Sequence, residues 1–127
     1  MGAWGFEPWG NDESVSWFAK FIKSCNLTMV KDSFDNFNEA DEFKYEQIRA
    51  ACYILQFLAK PYIWQQDEKN GDAKKLLERG IEILGNMINP PNSKWTFLEM
   101  WDSEDGIIRS VESQILELKK CLSEWKA

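Results

Sequence analysis

Histidine is wholly absent from the 127-residue sequence. Its absence removes the commonest general base and the commonest metal ligand. Ser-His and Cys-His nucleophile pairs go with it, as do the Glu-x-x-His sites of di-iron bundles. Cysteine is sparse: Cys25, Cys52 and Cys121 are three in number, widely spaced, and set among apolar residues. That pattern predicts buried free thiols in a reducing compartment, with no Cys-x-x-Cys pair for zinc or redox work. No apolar run reaches the about 18 residues needed to span a bilayer, and the N-terminus lacks a basic leader and an apolar core. Gly2 starts no myristoylation motif, because Phe6 stands where Ser or Thr is required. These absences predict a cytoplasmic address and no membrane partner.

Positive charge is also short. Lys and Arg number 15 against 21 Asp and Glu, a net charge of −6 with a pI near 4.7. Nucleic-acid affinity rests on cations that neutralise phosphates, so no nucleic-acid partner is expected, whereas an acidic surface suits a basic protein. No alternating β-branched run of useful length occurs, which predicts an all-α fold. The remaining composition is ordinary, with 44% apolar and 28% charged residues, and this excludes a wholly disordered chain. Residues 1–127 are read as a single helical domain. A chain of this size buries about two-thirds of its unfolded surface and needs neither disulfide nor metal, and no cofactor is called for.

What stands out is the opening, MGAWGFEPWGNDESVSW, dense in glycine and tryptophan. It predicts an irregular N-terminal segment ahead of a bundle of five to six helices. The first helix is placed from Asn11 or Asp12, either of which can cap it, with Val15, Phe18, Ile22 and Cys25 on one face and Trp17 and Phe21 widening it towards the core. A weaker helix over Leu27 to Asn38 carries Val30, Phe34 and Phe37. A third, over Phe43 to Lys60, turns Tyr45, Ile48, Cys52, Leu55 and Leu58 or Ala59 inward and ends before Pro61. Pro61 to Gly71 finishes in a polar loop. Asp72 then caps a helix through Ala73, Leu76, Leu77, Ile81, Leu84 and Ile88, which stops at Pro90-Pro91. Ser93 is read as the cap of a short segment holding Trp95, Leu98 and Trp101. The last helix, from near Asp102 or Ser103, shows the cleanest stripe: Ile108, Val111, Ile115, Leu118, Leu122 and Trp125. This is a short heptad seam. An intramolecular core face is the favoured reading, and homo-oligomerisation through Ile108, Val111, Ile115, Leu118 and Leu122 the other.

Tests for chemistry return little. Gly5 and Gly10 have the spacing of a phosphate loop, but Asn11 and Asp12 follow where Lys and Ser or Thr are needed. From Asp32 to Glu46 six acidic residues meet one lysine. That run lacks the central glycine and ligand spacing of a calcium loop, so no metal site is assigned. Paired carboxylates such as Glu39 and Glu42 are what any acidic helix shows, and no catalytic residue is assigned. Asp32, Asp35, Glu39, Asp41 and Glu42 form instead a candidate surface for a basic protein partner.

The opening Gly2-Ala3-Trp4-Gly5, the Asn11-Asp12 pair, Trp17, and the later Leu98-Glu99-Met100-Trp101-Asp102-Ser103 resemble the pattern of the bacterial family catalogued as domain of unknown function 4259. The likeness runs the length of the chain, including the central Ala50-Ala51-Cys52-Tyr53-Ile54-Leu55. It departs at Ser14, where members carry Ala, and at Pro8-Trp9-Gly10. The resemblance implies a small helical domain without an established catalytic role, and Gly2, Trp4, Gly5, Asn11, Asp12, Trp17, Leu98 and Trp101 are its motif residues, read as architecture. By analogy it points towards an immunity or antitoxin protein that neutralises a toxin.

Three functions stay open. One is a non-enzymatic binding protein whose acidic helical face covers a basic toxin. Another is a small enzyme or ligand-binding protein with a site under the N-terminal loop, using Asn11 and Asp12 beside Trp4, Trp9 and Trp17. The last is a self-associating module built on the final stripe.

Overall fold

Among the described residues, apolar positions repeating at the helical period fold into seven helices: α1 (Asp12–Ser24), α2 (Thr28–Asp35), α3 (Glu42–Leu58), α4 (Pro61–Trp64), α5 (Gly71–Ile88), α6 (Phe97–Met100) and α7 (Asp105–Glu124). The computed structural model describes residues 6, 11–24, 28–64 and 71–125, and among these there is no strand. The architecture is the all-α bundle that the pattern predicts. Gly2, Trp4, Gly5, Trp9, Cys25, Leu27 and the polar run 65–70 lie outside the described residues, as do the side chains of Val15 and Asp72.

Helices α3, α5 and α7 make the core. Tyr45, Ile48, Cys52 and Leu55 of α3, Leu77, Leu84 and Met87 of α5, and Val111 and Leu118 of α7 are all but inaccessible to solvent. Within each set the spacings are three, four or seven residues, so one face of each helix is removed from water, at about 25 cal/mol for each Å² of apolar surface. Polar contacts pair Arg49 with Gln114, Gln56 with Cys121 and Ala59 with Trp125, so α3 and α7 run side by side in the same direction. Helix α5 packs on both and returns to the end where α3 begins. Helix α2 lies across α3 and α5, and its Phe34 is buried.

At that end Tyr45 joins three segments. Its hydroxyl donates to the Glu39 carbonyl and accepts the Thr96 N–H at 3.0 Å. Its ring meets Phe37, Trp95 and Phe97 with centroids 5.9, 6.3 and 5.6 Å away. The loop after α2 and the approach to α6 are thus held to the start of α3. Asp41 caps α3 through its carboxylate, which accepts the Phe43 N–H at 3.1 Å.

Five expectations need correction. Helix α1 does not flank the core: the inner faces of α3, α5 and α7 close on one another, and α1 packs on α4 instead. Its Trp17 is 61% exposed and stacks on Phe21. Helix α2 stops at Asp35, with Phe37 on the following turn. Helix α5 takes in Gly71, which had been given to the loop, and α4 forms directly at Pro61 because the first turn of a helix needs no proline N–H. Ser93 is exposed, and Thr96 stands at the start of α6. Helix α7 starts at Asp105, because Asp102 and Ser103 adopt φ of 50° and 51°. That left-handed pair closes α6, with Ser103 N–H donating to the Leu98 carbonyl at 2.8 Å.

The final stripe is used inside the molecule. Val111 and Leu118 are fully buried, and Ile108, Ile115, Leu122 and Trp125 pack half-buried against the same core.

Gly80 sets how closely the helices approach. A Cβ there would lie 3.0 Å from Cys52 Sγ and 3.1 Å from Leu118 Cδ1, whereas one at Gly85 would meet nothing within 4 Å. Gly80→Val is therefore expected to cost about 1–3 kcal/mol by overpacking, and Gly85→Ala to gain up to about 1 kcal/mol of helix propensity. Thermal melts check both: the first variant melts several degrees lower and the second a few degrees higher.

Burial pushes the Cys52 thiol from 9.0 up to about 12. The unfolded chain releases this proton first, so the contribution is intact below pH 9 and is lost as pH rises from 9 towards 12. The loss amounts to about 1 kcal/mol by about pH 10. Urea unfolding at about pH 8 and about pH 10 should show a smaller alkaline loss in Cys52→Ala than in the parent.

Candidate functional site

Of the residues that carry the resemblance, Asn11, Leu98 and Trp101 make contacts within the fold, and Asp12 and Trp17 are exposed. Asn11 caps α1: its side-chain oxygen accepts the Ser14 N–H at 2.9 Å, and Ser14 Oγ donates back to the Asn11 carbonyl at 3.1 Å. Asp12 is exposed in the first turn, where its charge opposes the helix dipole. Leu98 packs on the core. Trp101 Nε1 donates to a Glu46 carboxylate oxygen at 3.3 Å, tying the turn after α6 to α3. Among the described residues, no hydrogen bond or ring contact joins Asn11, Asp12 or Trp17 to Leu98 or Trp101.

The five acidic candidates divide by role. Asp41 is committed to the α3 cap, and Glu39 is half-buried beside Tyr45. Asp32 and Asp35 on α2 and Glu42 in the first turn of α3 are exposed, and none of them pairs with a basic side chain among the described residues. All five belong to the end of the α2–α3 hairpin where the chain turns. No group of three or more Asp, Glu, Cys or His positioned to hold a metal occurs among the described residues.

Sequence reasoning missed the outer face of α3. Phe43, Tyr53, Ile54 and Phe57 are 82%, 55%, 43% and 54% exposed, and Tyr53 meets Phe57 edge-on with centroids 5.0 Å apart. With the exposed Ala50 between them, these residues repeat at helical spacing on the side opposite Tyr45, Ile48, Cys52 and Leu55. The signal was present in the sequence, since EFKYEQIRAACYILQFL is apolar on nearly every side, a composition that a helix normally buries.

A groove flanks this ridge on each side. Towards α2 lies one of about 860 Å³ with Met29, Val30, Ala50, Ala51 and Ile54 among its lining. Towards α7 lies one of about 620 Å³ lined by Glu46, Arg49, Tyr53, Ser110 and Gln114. Arg49 supplies part of the polar lining of the second. Its Nε donates to Gln114 Oε1 at 2.9 Å, one terminal nitrogen to Ser110 Oγ at 2.8 Å and the other to Glu46 at 3.4 Å, while Gln114 donates back to the Arg49 carbonyl at 3.0 Å. This fork fixes the register of α3 against α7, and it keeps the guanidinium largely occupied with its own chain.

Compared with known protein families, curated proteins and solved structures, the chain matches none of them.

A lysine cannot reproduce three directed bonds from a planar fork. Arg49→Lys is expected to lower unfolding free energy by about 1–2 kcal/mol, measured by urea titration. A change within about 0.5 kcal/mol would mark Arg49 as an ordinary surface residue.

Proposed function

We propose that this is a non-enzymatic protein-binding domain of the immunity or antitoxin kind, which covers a basic surface of a toxin with α3 and the acidic end of the α2–α3 hairpin. The observation that carries this reading is the outward stripe of Phe43, Tyr53, Ile54 and Phe57, together with the exposed carboxylates of Asp32, Asp35 and Glu42. Exposed aromatics give a partner large apolar area, and a rim of one sign steers a partner of the other and speeds its association. The net charge of −6 and the resemblance to the domain of unknown function 4259 family favour the same assignment.

The test is capture of a partner from the native host, followed by affinity measured from about 50 to about 500 mM salt, a range over which exposed charges become screened. Affinity is expected to fall about tenfold or more with salt, mostly through slower association. A combined Asp32→Asn, Asp35→Asn and Glu42→Gln variant should reproduce that loss at low salt while melting normally. Affinity indifferent to both would contradict the reading.

A further inference from the structure

We propose that the groove between α2 and α3 receives a basic amphipathic helix of the partner. The inference rests on the protein-binding reading above and narrows it to one mode of recognition. Helices α2 and α3 are joined by a short turn, so they form an αα-hairpin with one closed end and one open end. The groove between them, about 860 Å³, has the core-packed Val30 and Ala51 at its inner side, with Ala50 on the ridge above. Small residues there leave a trough, and larger ones would have filled it.

Its open end is apolar, where Met29 and Ile54 stand 78% and 43% exposed. Towards its closed end the lining holds one carboxylate, Asp32, and one cation, Lys44. The exposed Asp35 and Glu42, at the end of α2 and the start of α3, add the negative charge on the turn side. An eight-residue α2 offers a wall about 12 Å long, matching two to three turns of an incoming helix. A helix with apolar residues at i, i+3 or i+4 and i+7 would seat them along the trough, and Lys or Arg at one end would meet the carboxylates. A second copy of this chain would bring another −6 of charge to an acidic rim, so the occupant is a different, basic protein.

The probe is a fluorescent synthetic peptide of about 18 residues, long enough for a stable helix, with Leu at positions i, i+3, i+4 and i+7 and Lys elsewhere. It is compared with a Leu/Glu peptide of the same pattern and a Leu/Lys peptide of scrambled order, all against the full chain. Anisotropy should show the patterned Leu/Lys peptide binding at least about tenfold more tightly than either control. Amide shifts should concentrate at Met29, Val30, Ala50 and Ile54. Ile54→Asp should weaken binding by at least about tenfold, and because the side chain is partly exposed its circular dichroism and melting should stay near wild type.

Equal binding of the scrambled peptide, shifts confined to other surfaces, or indifference to Ile54→Asp would overturn the proposal. A natural partner that is lost by the Asp32, Asp35 and Glu42 variant but unaffected by Ile54→Asp also overturns the groove, and it leaves protein binding itself standing. A peptide seated in the groove with no natural partner captured supports the groove and counts against the immunity reading.

Discussion

The fold turns on one close approach. At Gly80, helix α5 comes so near Cys52 of α3 and Leu118 of α7 that a single methyl group would crowd both. The missing side chain lets α5 sit close against the inner stripes of α3 and α7, and the core is built around that contact. Tyr45 then pins the start of α3 to the segments around α2 and α6. At the other end, Trp125 Nε1 donates to the Ala59 carbonyl at 2.9 Å, and Lys60 pairs with Glu124 at 3.4 Å. The exposed ion pair adds little, whereas the indole bond occupies a carbonyl that the end of α3 leaves without a helical partner.

With the inner face of α3 committed to α5 and α7, its second apolar face has no place in the core. Isolated exposed apolar residues are common, but Phe43, Tyr53, Ile54 and Phe57 share one helix face, beside two grooves and an acidic hairpin end. The groove towards α7 is lined by Arg49 bonded to Gln114 and Ser110. The groove towards α2 has small apolar residues at its floor and charge at only one end. This asymmetry separates a surface that holds the fold from the one that the proposed function assigns to a partner.

Much of the bundle was legible in the residues. The stripe from Ile108 to Trp125, the set Tyr45, Ile48, Cys52 and Leu55, and the stop at Pro90-Pro91 all correspond to observed packing, since burial at the 3.6-residue period writes itself into composition. The role of α1 was not legible, because periodicity shows that a face is apolar without showing which neighbour covers it. The outer face of α3 escaped for a related reason: Phe43, Tyr53, Ile54 and Phe57 also fall at helical spacing, and the pattern alone does not show that they stay exposed. The late start of α7 escaped for a local reason. Asp102 and Ser103 resemble helix caps by type, but a left-handed backbone at both, uncommon outside glycine, gives them to the preceding turn. Of the acidic candidates, composition could not separate Asp41, used as a cap, from Asp32, Asp35 and Glu42, which face solvent.

The central claim is that α3 has one face for folding and another for a partner, and paired truncation tests it most directly. Unfolding free energy and partner affinity would be measured together for Leu55→Ala and for the double variant Tyr53→Ala, Phe57→Ala. The account predicts that Leu55→Ala loses about 2–5 kcal/mol of stability. The double variant should lose under about 1 kcal/mol of stability and at least about tenfold in affinity. A double variant that destabilises the fold as strongly as Leu55→Ala, or that binds as the parent does, would contradict it.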